Sequence, residues 1–343
     1  MTTRSLHLVG SIPADDAGTA MREALTRFGP HLRSVPDGET GERRNWINHI
    51  IESFRSHPDL QVATEGDWSD YNRIVRFRVR KGHTLRGDSL DFGHVADVAK
   101  NQPIFQRLRV ELGHPHLVFQ VGIPGDLDMA LFTLGPLGAF RHRRAFTEAT
   151  VREIGQIAAL TAGEVLFQIE IPAELIFMAS APPPVRRAAA GLLAGGIARL
   201  AERSPDGTRF GVHLCLGDLN HKAMARLRDT WPLVLLANAV AKRWPVGRSL
   251  EYVHAPFAAG EQPPCLDPAF YRSLRTLALP ETTRFVAGLL HEGQGLDEQR
   301  RVLAMVEDQV GRPVDLGAAC GLGRRTPEQA AAAMDQAGSL IGT

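Results

Sequence analysis

Only three cysteines occur in the 343 residues, Cys215, Cys265 and Cys320. Three thiols cannot build a disulfide framework, which points to a reducing compartment, the cytoplasm, where thiols stay available to bind a metal. Long apolar runs are also missing. None approaches the roughly 18 residues that a membrane span needs. The most apolar stretch, Ala188–Leu200, is rich in Ala and Gly and accompanied by Arg186, Arg187, Arg199 and Arg203, so it reads as a packed soluble helix. The opening MTTRSLHLVGS has no apolar core of the kind a secretory signal requires. An excess of either charge is absent too, since 39 Lys and Arg face 38 Asp and Glu, for a net charge of +1. That balance offers no electrostatic case for nucleic acid or an anionic membrane. Internal repeats, low-complexity tracts and linkers are lacking as well.

What is present is a series of short apolar runs of strand length: Leu6–Ser11, Leu32–Asp37, Leu117–Ile123, Val165–Ile171, Phe210–Leu216, Leu250–Ala255, Phe285–His291 and Val314–Leu322. Runs rich in Val, Leu, Ile and Phe suit strands buried on both faces of a parallel sheet. Between them lie helical patterns at Ala14–Phe28, Arg144–Thr161, Ala188–Glu202, Leu219–Arg228, Asp297–Val310 and Pro327–Ala337, the last preceded by Thr326 as a helix start. Strand–helix alternation of this length predicts an α/β fold, a (β/α)8 TIM barrel spanning residues 1–343 as one domain, with an open doubly wound sheet as the alternative. The connection from Gly38 to His116 is unusually long, and its residues 47–115 are expected to form a cap or active-site wall. Within it, YNRIVRFRVRKGHTL predicts a hairpin in which Arg76, Arg78 and Arg80 alternate with apolar residues, a solvated face or an anion-binding row.

Two residues apart on one strand, His213 and Cys215 point to the same face. Cys320 ends the eighth run, and the last residues of barrel strands converge on the C-terminal mouth. Imidazole and thiolate together suit zinc. Glu251 could complete a His-Cys-Cys-Glu set, with His254 as its rival because it lies nearer the end of the same strand; Cys265, in the Pro-rich QPPCLDP loop, reads as an incidental thiol.

These segments, in order, carry a resemblance. LVGSIP, VPDGETGERRNW, FQIEIPAE, HLCLGDLN, SLEYVHAP, LLHEG and ACGL are similar to the strand-end motifs of the catalytic barrel of cobalamin-independent methionine synthase, within the uroporphyrinogen decarboxylase/methionine synthase-like superfamily. The resemblance runs across nearly the whole chain. It implies that His213, Cys215, Glu251 and Cys320 hold the zinc, that Gly10 and Ser11 touch the carboxylate end of an amino-acid thiol, that Glu39 and Glu170 receive its ammonium group, and that His291 acts in proton transfer or substrate positioning.

The expected activity is zinc-dependent methyl transfer to a thiol, homocysteine or a related molecule. A thiol with a pKa of about 8.5 is a poor nucleophile at neutral pH until a metal removes its proton. The partners are a small thiol and a methyl donor, a folate or a methyl-corrinoid among the options. The alternatives are epoxide opening by a zinc-bound thiol of the coenzyme M type, a metal-free decarboxylase or lyase, and a catalytically silent zinc-stabilised binding protein. Two departures bear on the substrate. Only the catalytic barrel is matched, without the folate-binding half of the full-length synthase. The Asp of the fourth-strand motif is Glu170 here and the following Glu is Ile171, so homocysteine itself is in question.

Overall fold

The computed structural model describes residues 4–342; part of the N-terminal segment read above for a secretory signal lies outside them. Ten strands are formed: β1 (Leu6–His7), β2 (Ser34–Pro36), β3 (Leu60–Thr64), β4 (Arg76–Val79), β5 (Val118–Pro124), β6 (Val165–Glu170), β7 (Arg209–His213), β8 (Ser249–Pro256), β9 (Arg284–Leu290) and β10 (Asp315–Ala318). Eight of them make one parallel sheet in the order β1-β10-β9-β8-β7-β6-β5-β2, with helices outside. It is a nearly closed (β/α)8 barrel. The seam lies between β1 and β2, where the Ile12 amide donates to the Gly38 carbonyl at 2.8 Å.

The eight apolar runs all become barrel strands, because alternate residues face the interior and the rest face the surrounding helices. β1 is shorter than its run. The chain at Leu8 and Val9 leaves the ladder, and side chains satisfy its carbonyls instead: Gln120 Nε2 donates to Leu8 (2.9 Å) and Val9 (3.1 Å), and Gln168 Nε2 donates to Val9 (2.7 Å). The barrel interior is therefore polar at this level, and buried carbonyls there are paired as they must be.

Helices begin where the sequence supplies a cap. Asp16 accepts from the Thr19 amide ahead of Ala17–Phe28, whose Ala20, Met21, Ala24, Leu25 and Phe28 make one buried stripe. Thr326 and Gln329 form a reciprocal capping box at Pro327–Ile341. One expected helix is corrected and another is extended. Leu219–Arg228 is irregular, because Gly217, Asn220 and His221 take positive φ (81°, 51° and 62°) that a helix cannot accommodate; the helix at this point is Trp231–Arg243, with Pro232 in its first turn. The Arg144–Thr161 pattern is the second half of Asp126–Leu160, kinked at Gly135 (φ 69°) and Pro136.

The long connection divides in two. His94–Glu111 is a barrel helix whose Val98, Phe105 and Leu108 join the main core. Residues 47–92 instead build a second core, in which Ile51, Phe54, Leu60, Phe77 and Phe92 pack on Met129, Phe146 and Ala149 of the kinked helix. The hairpin expected at 71–85 does not form. β4 pairs antiparallel with the upstream β3, and Arg76, Arg78 and Arg80 are exposed, the solvated face. Among the described residues, no helix is long and apolar enough to cross a membrane.

Tyr252 and His254 both project into the barrel, and facing glycines make room for them. A Cβ on Gly211 would lie 2.0 Å from Tyr252 Cζ, whose ring is fully buried and tied by its hydroxyl to Gln168. Gly211→Ala is therefore expected to lower the unfolding free energy by about 1–3 kcal/mol, the range for overpacked cores, read as a lower urea midpoint; an unchanged midpoint contradicts this packing.

Candidate metal and thiol site

At the C-terminal mouth, the last residue of β7 and the chain just past β7 and β10 bring His213, Cys215 and Cys320 together, with one potential ligand atom from each lying within 4.8 Å of the others. The two sulfurs are 3.7 Å apart. Two thiolates bound tetrahedrally at about 2.3 Å from one zinc stand about 3.8 Å apart, so the spacing fits a shared ion. It is far longer than the roughly 2.05 Å of a disulfide.

Hydrogen bonding settles which nitrogen His213 offers. His254 Nε2 lies 2.9 Å from the Ala318 carbonyl, which can only accept, so His254 carries its proton there. Its Nδ1 is then a bare acceptor, and His213 Nδ1, at 2.7 Å, donates to it. His213 Nε2 is left unprotonated, buried and without a partner. Burial is the first cause that lowers the pKa of both rings, that of His254 to about 4, so neutral imidazoles persist at physiological pH. A buried imidazole grouped with two sulfurs, one ring nitrogen held by a second group and the other without a partner, is the arrangement of a metal-binding histidine. The donor set fits zinc with one coordination position free.

Glu251 is not part of this cluster, a correction to the expected four-ligand set. It lies at the opposite, N-terminal end of β8, where its carboxylate pairs with Arg209 Nε at 2.6 Å and Ser249 at 3.0 Å. Register places His254, not Glu251, opposite His213. His254 is a hydrogen-bond partner of His213. Cys265 stands apart, its sulfur accepting from the Asp267 amide.

The cluster lies on the wall of a cleft that also includes Gly10, Ser11, Glu39 and Glu170. Glu39 sits in a turn with φ 41°, after Gly38 at φ 82°. Asp37 holds that turn, accepting from the Glu39 amide (2.9 Å), Arg43 (2.6 Å) and Asn101 (2.6 Å). Glu170 ends β6 and accepts from Gln168. The two carboxylates converge over Gly122, where a Cβ would be 2.9 Å from Glu39 Oε1 and 3.0 Å from Glu170 Oε1; at Gly10 it would be 2.5 Å from Glu39 Oε1. Burial, then the neighbouring Glu170, raises Glu39 to about 8. Burial, then Cys320, raises Glu170 to about 7. Near neutrality the pair holds a proton that a bound cation can displace. Ser11 has a second task, since its carbonyl and hydroxyl accept from the Gly323 amide and so support the Cys320 loop.

His291 follows β9, but its ring is occupied by backbone. Nε2 donates to the Gly260 carbonyl at 3.0 Å and Nδ1 accepts from the Gly293 amide at 2.9 Å. It is not among the residues lining the cleft, and this geometry gives it no proton to pass to a ligand there. His221, His291 and Glu292 are also close enough to suggest a second ion site. Their donors are already used: His221 Nε2 pairs with Glu292 at 2.9 Å, and Arg325 reaches the other Glu292 oxygen at 2.7 Å. This is a charge network, and hydrogen bonds to Asp218 and Glu292 lift His221 to about 9.

Sequence reasoning missed Arg324. Its buried guanidinium donates to Cys320 Sγ at 3.0 Å, to Asp218 at 3.1 Å and to the Arg44 carbonyl at 2.7 Å. Placed beside two sulfurs, it favours the thiolate at Cys320, whose pKa is lowered first by the Cys215 thiol and also by this charge. The only signal in the sequence is an arginine four residues beyond the cysteine. Trp46, Trp68, Tyr71 and Phe132, which line the cleft, were also not singled out.

The raised Glu39 pKa has a consequence for stability. Between the ordinary carboxyl value of 4.5 and about 8, the folded chain retains a proton that the unfolded chain has released, so this group's contribution falls as pH rises. Glu39→Gln is expected to leave the urea midpoint unchanged at pH 4.5 and to raise stability by about 1 kcal/mol at pH 8. A variant that is less stable at pH 8 than at pH 5, relative to the parent, contradicts the buried-acid reading.

No protein-family model and no curated protein matches the sequence. Solved structures do share the fold. A B12-independent methionine synthase from Shewanella sp. W3-18-1, in complex with selenomethionine, superposes with a TM-score of 0.59 at 13% identity, over 99% of this chain and 98% of that one. A methyltransferase from Methanosarcina mazei superposes with a TM-score of 0.58 at 12% identity, over 100% and 95% of the two chains. At such identities the likeness is one of architecture.

Proposed function

We propose that the cleft binds a small thiol as its thiolate on a zinc ion held by His213, Cys215 and Cys320, and transfers a methyl group to it. The observation that carries this reading is that His213, whose buried Nε2 has no partner, groups with two sulfurs 3.7 Å apart on the wall of the cleft. The activities named for the Shewanella and Methanosarcina proteins agree with it. Zinc at this position would lower the thiol pKa and leave sulfur as the nucleophile.

The chain's own groups then have separable tasks. His254 keeps His213 in the ligating tautomer. Arg324 disperses negative charge from Cys320. Glu39 and Glu170 receive an ammonium group on the thiol, and the cation displaces their shared proton. Gly10 and Ser11, on the wall of the cleft, face the carboxylate end of such a molecule. Attack requires sulfur and methyl carbon to be aligned at about 3–3.5 Å, which a thiol held at both ends permits. A metal-free decarboxylase has no use for an orphaned imidazole grouped with two thiols.

The test is metal analysis with a spectroscopic check. The protein is expected to hold one zinc per chain. His213→Ala, Cys215→Ser and Cys320→Ser should lose it, Glu251→Gln should retain it, and His254→Ala should weaken binding about 10- to 100-fold. Replacement by cobalt should give a visible spectrum that changes when homocysteine or another aminothiol is added. Zinc far below one per chain and indifferent to Cys215→Ser, or a cobalt spectrum that no thiol perturbs, rejects the proposal.

A further inference from the structure

The cleft has a second half that the thiol does not account for. Trp46, Trp68, Tyr71 and Phe132 line it together with the carboxylates Glu39 and Glu170. Trp46 and Phe132 meet edge to face, with centroids 6.0 Å apart and planes at 82°, so the two rings form a corner. Trp68 and Tyr71 arrive from the insertion. Tyr71 Oη donates to the Lys222 carbonyl (2.9 Å) and accepts from the Leu219 amide (2.9 Å), while Asn220 Nδ2 donates to the Trp68 carbonyl (2.9 Å) and the Ser69 carbonyl (3.1 Å).

Topology gives these bonds their meaning. The insertion follows β2 and the Leu219–Lys222 loop follows β7, and in the barrel those strands are separated by β5 and β6. A contact between the two loops therefore crosses the mouth as a chord. A bridged mouth suits a small second ligand better than a group presented by another protein.

Charge narrows the chemistry. The Arg324 guanidinium is matched by Asp218. With their shared proton displaced, the ammonium of a bound aminothiol offsets one of the two charges of Glu39 and Glu170, so one carboxylate charge and the thiol's sulfur anion are left uncompensated. Aromatic faces beside buried carboxylates attract cations that carry methyl groups in place of N–H donors, since such ions gain from ring quadrupoles and need no hydrogen bonds.

We propose that the second ligand is a small methylated onium ion, a quaternary ammonium or a sulfonium, held against Trp46, Trp68, Tyr71 and Phe132 as the methyl donor. This rests on the thiolate reading above. The balance is simple. The sulfur lone pair forms the S–CH3 bond, the C–N or C–S bond breaks, and its electron pair stays on nitrogen or sulfur. The leaving group departs as a neutral tertiary amine or thioether and requires no proton. That agrees with a cleft in which His291 is closed off by Gly260 and Gly293.

The experiment titrates the full chain, with and without zinc, with (2-hydroxyethyl)trimethylammonium, trimethylsulfonium and the uncharged isostere 3,3-dimethylbutanol at constant ionic strength. The readouts are calorimetry and quenching of tryptophan fluorescence. Saturable binding of at least one cation, with the isostere at least tenfold weaker, is expected; which cation binds tighter distinguishes ammonium from sulfonium. Trp68→Leu and Phe132→Leu, each preserving apolar bulk, should each weaken the cation about tenfold. A thiol assay should then show a thioether and a demethylated amine or sulfide in equal amounts. Equal binding of cation and isostere, or no effect of either variant, overturns the proposal. So does saturable binding of a 5-methylated folate when neither cation binds. In those cases an intact thiol-dependent cobalt spectrum leaves the thiolate reading standing, whereas onium binding without any thiol response rejects that reading and the donor role with it.

Discussion

One proton orders the site. The Ala318 carbonyl at the end of β10 can only accept, so it commits His254 to a single tautomer, which commits His213 to the opposite one and leaves His213 Nε2 a bare imidazole nitrogen in the cluster with Cys215 and Cys320. Three strands, β7, β8 and β10, thus meet in one hydrogen-bonded chain beside the two cysteines. Buried imidazoles in such a chain remain neutral because desolvation penalises their charge. Preorganisation of this kind is what a low-coordinate metal site needs if one position is to stay open.

The barrel interior is arranged to serve that chain. Gly211, Gly288 and Gly317 clear space for Tyr252 and His254. Gln168 accepts from Tyr252 and His7 and donates to Val9 and Glu170, so one buried amide links the interior to the first strand and to the carboxylate pair. Polar groups this deep are costly unless satisfied, and here they are satisfied mostly by one another. Acid groups over Gly122 are less well served, and their raised pKa values are a store of instability that a cationic ligand would relieve.

Around this core the barrel supplies loops. The insertion carries its own apolar core on the kinked helix and can therefore present Trp68 and Tyr71 at a defined place over the mouth. The loop after β7, with positive φ at Gly217, Asn220 and His221, is shaped to meet it. Arg324 joins the cysteine loop to Asp218 in the same stretch. The charged His221, between Asp218 and Glu292, fastens its far side.

By itself the sequence determined the architecture and three members of the site. Eight strand-length apolar runs alternating with helical ones can bury themselves in few ways, and an H-x-C pair with a later cysteine at another strand end is a local pattern that strand geometry converts directly into a shared face. Motif order extended this to Glu39 and Glu170. Only the tertiary structure decided the rest. Glu251 and His254 lie three residues apart, and nothing local says that one reaches the floor of the barrel and pairs with Arg209 while the other meets His213; register between β7 and β8 decides it. His291 has a strand-end position like that of His213 and Cys320, yet two backbone bonds from separate loops occupy its ring. Arg324 and the Trp68–Tyr71 segment have no periodic signature, because their roles depend on contacts with residues more than a hundred positions away, and such contacts exist only once the barrel has closed.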